Sequence, residues 1–245
     1  MRIAIQQPHF FPWLGYFDKM AKVDAFVLMD EVQLEKRSPM TRNRILARNG
    51  DIRYFTIAAN QRGSREKPYR EIPLSEDPKW KVSNCRQLQD YYQKAPCYRE
   101  IMPLLEAFYR QEFQSLCDCT VKSIRLVKEL LEIPTELPAQ SRLDYDKSQR
   151  KSDLVLALCL AAGADTYLAG RGASMRYLER EKFAEKGVEI IFQDFQHPVY
   201  PQCNSTAFVP GISTLDMLFN CGVRESRRIF WETVKNGREF DGTEG

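Results

Sequence analysis

The stretch that decides the fold is MRIAIQQPHFFPWLGYFDKMAKVDAFVLMD, residues 1–30. Residues 2–6 (RIAIQ) form a short apolar run that reads as a buried strand. Residues 7–13 carry two prolines and several aromatic rings, which predicts a loop. Residues 15–21 can form a short helix, and residues 25–29 (AFVLM) form a second buried strand that ends at Asp30. Strand, loop, helix and strand in such close succession make a βαβ unit, which requires parallel pairing.

Outward from this unit, residues 53–58 (RYFTIA) predict a third strand. From Lys79 to Glu132 the apolar residues recur at helical spacing, with Pro96, Pro103 and Pro134 as punctuation. Two or three helices are expected there, inserted into or packed on the sheet. Residues 148–162 predict a helix stopped by Gly163, residues 166–169 (TYLA) a strand, and residues 179–186 a helix ended by Gly187. Residues 188–192 (VEIIF) predict the last strand, followed by helical segments at 213–219 and 224–234. The expected fold is a single α/β domain over 1–245. It has a Rossmann-like parallel sheet, a helical insert at about 78–135 and C-terminal helices.

The totals narrow the function. The chain has 245 residues, 43% of them hydrophobic, enough for a substantial core. A net charge of +3, with the cations spread along the chain, argues against a nucleic-acid binder. The first residues lack the long apolar segment of a secretory signal, and no run approaches bilayer length. Seven cysteines at scattered positions read as reduced thiols in a cytoplasmic protein. Only two histidines, His9 and His197, accompany them, so no metal site is expected.

In an open parallel sheet, ligands bind beyond the carboxyl ends of the strands. Four unusual segments follow predicted strands and are expected to gather at that edge. The first supplies Gln7, His9 and Trp13, which combine polar groups with aromatic walls suited to a ligand pocket. The second runs from Asp30 through Gln33, Lys36 and Arg37 to Asn43 and Arg44, and its cations suit a phosphate or carboxylate. Its bland reading is a self-paired, solvated charge cluster. The third contains Tyr167, Gly170 and a Gly-x-Gly turn able to face an anion with backbone N–H groups. The fourth, Asp194 to Gln202, contains His197, the candidate general base because an imidazole titrates near neutrality. Asp30 is the candidate carboxylate of the catalytic pair, with Glu31 and Asp194 as alternatives for orienting the ring. Cys203 lies six residues from His197, so a Cys–His nucleophile pair is conceivable, although its surroundings show no sign of activation. Ser213, Thr214 and Asp216 read as the cap and first turn of a helix.

Taken together, QQPHFFPWLGYF (6–17), VDAFVLMDEVQLEKR (23–37), RNRI (42–45), GADTYLAG (163–170), FQDFQHPVYPQ (192–202) and FVPGISTLDMLFNCG (208–222) resemble the WbqC-like family over nearly the whole chain. The family's KR-x-W-x-N-RNR stretch has Pro39 and Thr41 here in place of the usual Trp and first Asn, and its Ser-Gly is Ala169-Gly170. The resemblance implies a role in surface-polysaccharide (O-antigen) or related biosynthesis, with glycyl or aminoacyl transfer as the activity. A fainter, topological likeness to nucleotidyltransferases and pantothenate synthetases rests on Gly15; both of their signature histidines are absent, Trp13 and Tyr16 standing at those places. The leading expectation is therefore an acyl- or aminoacyl-transferase acting on an amino group. Its substrate is a small molecule or is carrier-bound, such as a nucleotide sugar or an acyl-carrier thioester. A nucleotide-dependent ligase or nucleotidyltransferase and a non-catalytic substrate-binding protein are the alternatives. The sequence names no cofactor.

Overall fold

A computed structural model describes residues 1–35, 37–60 and 66–240. The chain runs β1 (Arg2–Gln6), α1 (Leu14–Ala21), β2 (Ala25–Leu28), β3 (Arg42–Leu46) and β4 (Ile52–Thr56). Three helices follow, α2 (Lys79–Tyr92), α3 (Tyr98–Arg110) and α4 (Leu116–Leu130). Then come α5 (Lys151–Ala161), β5 (Thr166–Ala169), α6 (Ala173–Tyr177), α7 (Arg180–Glu185), β6 (Glu189–Asp194), α8 (Thr214–Asn236) and β7 (Arg238–Phe240). The main sheet has the order β2-β1-β5-β6-β7. Its first four strands are parallel, and β7 joins the β6 edge antiparallel. This is the Rossmann-like α/β arrangement that residues 1–30 imply. The chain leaves β1 toward β2 on one side and later returns to β5 on the other, so the topological switch point lies between β1 and β5.

Side-chain alternation along the strands divides the core in two. Ala4, Phe26, Leu28, Leu168 and Ile191 face a large layer that includes residues of α1, α2–α4 and α8. Ile3, Ile5, Ala25, Val27, Tyr167 and Phe192 face the opposite layer, with Val155 and Leu158 of α5 and Phe183 of α7. Both faces are covered, which is why β1 and β2 read as unbroken apolar runs rather than alternating ones.

Three expectations need correction. Residues 53–58 do form a strand, but β4 pairs antiparallel with β3 in a separate two-stranded sheet, Arg44 opposite Tyr54. β3 itself lies within what reads as a charged loop, because the half-buried run Arg42-Asn43-Arg44 hides the period-two signal. Pro103 does not punctuate the helices; it lies inside α3, whose Ile101, Met102, Leu105, Phe108 and Tyr109 are buried. That apolar face outweighs the single backbone hydrogen bond that proline removes. Finally, β6 is not the last strand: after α8 the chain adds β7, which pairs antiparallel with β6. The two C-terminal helical segments are confirmed as halves of α8 separated at Gly222, where φ is 74°. Among the described residues no helix is long and apolar enough to cross a membrane.

Candidate functional site at the carboxyl edge of the sheet

The segment after β1 is held from several sides through its backbone. Asn43 Nδ2 donates to the carbonyls of Phe10 (3.1 Å) and Phe11 (2.7 Å). Ser213 Oγ donates to Phe11 O (2.8 Å), Thr214 Oγ1 to Pro12 O (2.8 Å), and Phe11 N donates to Ser123 Oγ (3.0 Å). These partners hold Phe11 at a φ of 39°, a conformation that non-glycine residues seldom adopt. The clamp fixes where His9 and Trp13 stand.

At the switch point this places a crevice of about 270 Å³. Its floor follows from strand parity. On the α1 face the rows Ala4–Gln6, Leu168–Gly170 and Ile191–Gln193 change from apolar to polar or empty within two residues. Gly170 leaves open the space that a side chain would fill; a Cβ there would stand 3.9 Å from Lys19 Nζ. Trp13, Tyr16 and Phe195 supply aromatic walls, with the Phe195 ring edge-on to Trp13 at 5.3 Å. Gly15 is needed beneath Trp13, whose indole occupies the place of a Cβ.

Lys19 is 4% exposed. Its Nζ donates to Gln6 Oε1 (3.0 Å) and Ile5 O (3.5 Å). Burial lowers its pKa to about 8. His9, its ring 5.1 Å from Tyr16, is lowered to about 4 by burial and then by the Lys19 charge, so it is neutral at physiological pH. Lys19, Tyr16 and Gln193 are site residues that the sequence reading missed. No sequence signal marks Lys19; its burial follows from the packing of α1, which is buried at every position from Leu14 to Met20.

Two further cavities adjoin. One, of about 640 Å³, is lined by Gln7, Gln33, Glu31, Tyr145, Lys147 and Arg150. Gln6 and Gln7 are consecutive, and successive side chains at a strand end point to opposite sides, so they serve different cavities. Glu31 accepts from Tyr145 (3.0 Å) and Lys147 (3.0 Å); despite the opposing effect of burial, these bonds hold its carboxyl below the usual range. The other cavity, of about 710 Å³, follows β6 and shares Phe195 with the crevice. His197 lines it with Asp18, Asp194, Glu225, Arg228 and Glu232. His197 Nδ1 lies 2.9 Å from the Pro198 carbonyl. A carbonyl only accepts, so Nδ1 carries the proton and Nε2 keeps its lone pair. Burial lowers the pKa of this imidazole, with the Pro198 bond opposing it.

The other expected site residues are placed as follows. The Asp30 carboxylate accepts from Ser141 N (2.9 Å) and Ser141 Oγ (2.6 Å), and no hydrogen bond joins it to His197. Arg37 is exposed, with its carbonyl bound by Arg42 Nε at 3.1 Å. Arg44 is bound to the Gly211 carbonyl. Tyr167 is buried on the α7 side, its ring 6.2 Å from Phe183. Gln202 is spent on Asp216 (2.9 Å) and on both backbone groups of Val209. Lys36 lies outside the described residues. His9, Trp13 and Gly170 thus meet in the crevice, Gln7 and Gln33 meet next door, and His197 stands across Phe195. Asp216 begins α8 as expected, but its buried carboxylate also accepts from Tyr92 (2.8 Å) and Tyr200 (3.0 Å). All seven cysteines are free, and burial, then Asp216, pushes the Cys203 thiol up, away from an activated thiolate. Among the described residues no group of three or more His, Cys, Asp or Glu side chains is arranged to hold a metal ion.

Comparison with known proteins agrees with the sequence motifs. The profile of the WbqC-like protein family matches residues 7–228. An uncharacterized protein of Mycobacterium tuberculosis is 30% identical over 223 residues, which is 90% of this chain and 94% of the relative. No solved structure matches.

Proposed function

We propose that this chain, which belongs to the WbqC-like protein family, is an acyl- or aminoacyl-transferase acting on an amino group in surface-polysaccharide or related biosynthesis. The observation that carries the reading is His197, a neutral imidazole whose Nε2 is unengaged among the described residues, in a cavity with four carboxylates and one arginine. Asp194 is paired with Arg171, and Glu225 and Glu232 with Arg228, yet the balance of the cavity wall remains acidic. Such a wall draws in a protonated amine, and a nearby base then frees its lone pair.

In this mechanism His197 first relays the extra proton of the ammonium to solvent, and Nε2 then takes a second proton from the amine as its nitrogen attacks the carbonyl of a thioester or ester. The new C–N bond forms, the C–S or C–O bond breaks, and the proton passes from His197 to the leaving group. The cavity of Gln7, Gln33, Lys147 and Arg150 is where we place the phosphate-bearing part of a carrier or nucleotide sugar. Mass spectrometry of amino-sugar nucleotides incubated with acyl and aminoacyl carrier-protein thioesters tests the reading. A mass gain on the acceptor is expected, reduced by about 100-fold or more in rate in His197→Ala, the usual scale for a general base. Undiminished transfer by a folded His197→Ala chain, or no transfer from any donor, overturns it.

A nucleotide-dependent ligase or nucleotidyltransferase is the second reading. The larger cavity with Gln7, Lys147 and Arg150, at the carboxyl edge where such folds hold nucleotides, favours it. Calorimetric titration with Mg-ATP distinguishes the two, since only this reading requires a nucleoside triphosphate.

A further inference from the structure

We propose that the switch-point crevice is a binding site for a small carboxylate, received by the Lys19 ammonium and the Gln6 amide. The inference stands independently of the transfer chemistry. Two cations line the crevice: Arg171 is exposed at its rim and paired with Asp194 (2.8 Å), whereas Lys19 is buried and its partners are both neutral, an amide oxygen at 3.0 Å and a backbone carbonyl at 3.5 Å. The adjacent carboxylate, Asp18, is engaged elsewhere, by Lys22 (3.0 Å) and Gln193 (2.6 Å). Lys19 forms no ion pair among the described residues. A buried ammonium without a counter-charge is costly, and proteins keep one where a ligand completes it.

The surroundings specify the ligand. Gln6 Oε1 is committed to Lys19, so the Gln6 NH₂ is the end left to donate, and it has no protein partner among the described residues. One ammonium and one amide suit a singly charged, planar acceptor. A phosphate is ordinarily met by arginine forks or several backbone N–H groups. The volume of about 270 Å³ lies just under the usual range of about 300–1,000 Å³ for ligand sites and suits a small molecule rather than a nucleotide. Trp13, Tyr16 and Phe195 would flank an apolar or flat body. Gly170 gives the ligand its entry beside Nζ. The low pKa of Lys19 has the same origin, since the burial that depresses it is what an anion would relieve.

The experiment is calorimetry on the full chain with benzoate as probe, beside benzamide, its neutral counterpart, and inorganic phosphate. Benzoate should bind, and Lys19→Met should weaken it at least tenfold while leaving benzamide unchanged. Lys19→Arg should retain part of the affinity. Gly170→Val fills the crevice from the end of β5 with the ammonium in place, so it must also lose benzoate. Benzoate affinity in the wild type should fall as pH rises past about 8. Equal benzoate binding by wild type and Lys19→Met, preference for phosphate, or no benzoate binding at about 10 mM would each overturn the site.

Discussion

Replacing Lys19 with Met removes the buried charge and keeps a side chain of similar length. Burial moves the Lys19 pKa from 10.5 to about 8, a drop of roughly 2.5 units. At about 1.36 kcal/mol per unit this is a native-state penalty of about 3 kcal/mol on the charged form. The penalty is fully present below pH 8 and disappears as pH rises toward 10.5, because the unfolded chain then holds a proton that the folded chain has released. Against it stand the hydrogen bonds to Gln6 and Ile5, which contribute about 1 kcal/mol each and survive in the neutral amine. The Met variant should therefore be more stable than the wild type by about 1 kcal/mol at pH 7, raising Tm by about 2–4 °C. It should be less stable by about 2 kcal/mol once Lys19 is neutral in both states. Urea unfolding of both proteins at pH 7 and pH 10 reads the difference directly, since other titrating groups cancel between them. Stability curves that run parallel with pH, or a Met variant less stable at pH 7, refute the buried, uncompensated charge.

Two further perturbations probe the rest of the site. The chain has only two histidines, so proton NMR resolves both ring titrations: His9 should titrate near 4 and His197 below 6.5. Because both native pKa values are depressed, stability is lost as pH falls below 6.5, where the unfolded chain protonates first. A midpoint at or above 6.5 for either ring contradicts the burial described. Asp216→Ala leaves the Tyr92 and Tyr200 hydroxyls and the Gln202 amide without their shared acceptor. It should destabilise the chain by at least about 3 kcal/mol in denaturant, and a loss below about 1 kcal/mol would mean that these donors find other partners.

Residues 1–30 alone determine the parallel core, because apolar runs too short for helices, broken by a proline loop and a short helix, have one compact solution. The helical period likewise marks α2–α4, and a serine cap followed by an apolar run marks α8. Local sequence also placed His9, Trp13 and Gly170 at the carboxyl edge, since position after a strand is a property of neighbouring residues. What only the tertiary structure decided is how polar side chains are spent. Asn43, Arg44 and Gln202 look like ligand-binding groups, but they satisfy carbonyls or a carboxylate on other segments. Asp30 looks like a catalytic carboxylate, but it holds Ser141, 111 positions away. Lys19 looks like an ordinary helix-surface cation until α1 is found sealed between the sheet and α8. A polar group in a folded chain must find a partner, and which partner is near depends on contacts between segments distant in sequence. Periodicity records which face of an element is buried, and it carries no record of those contacts.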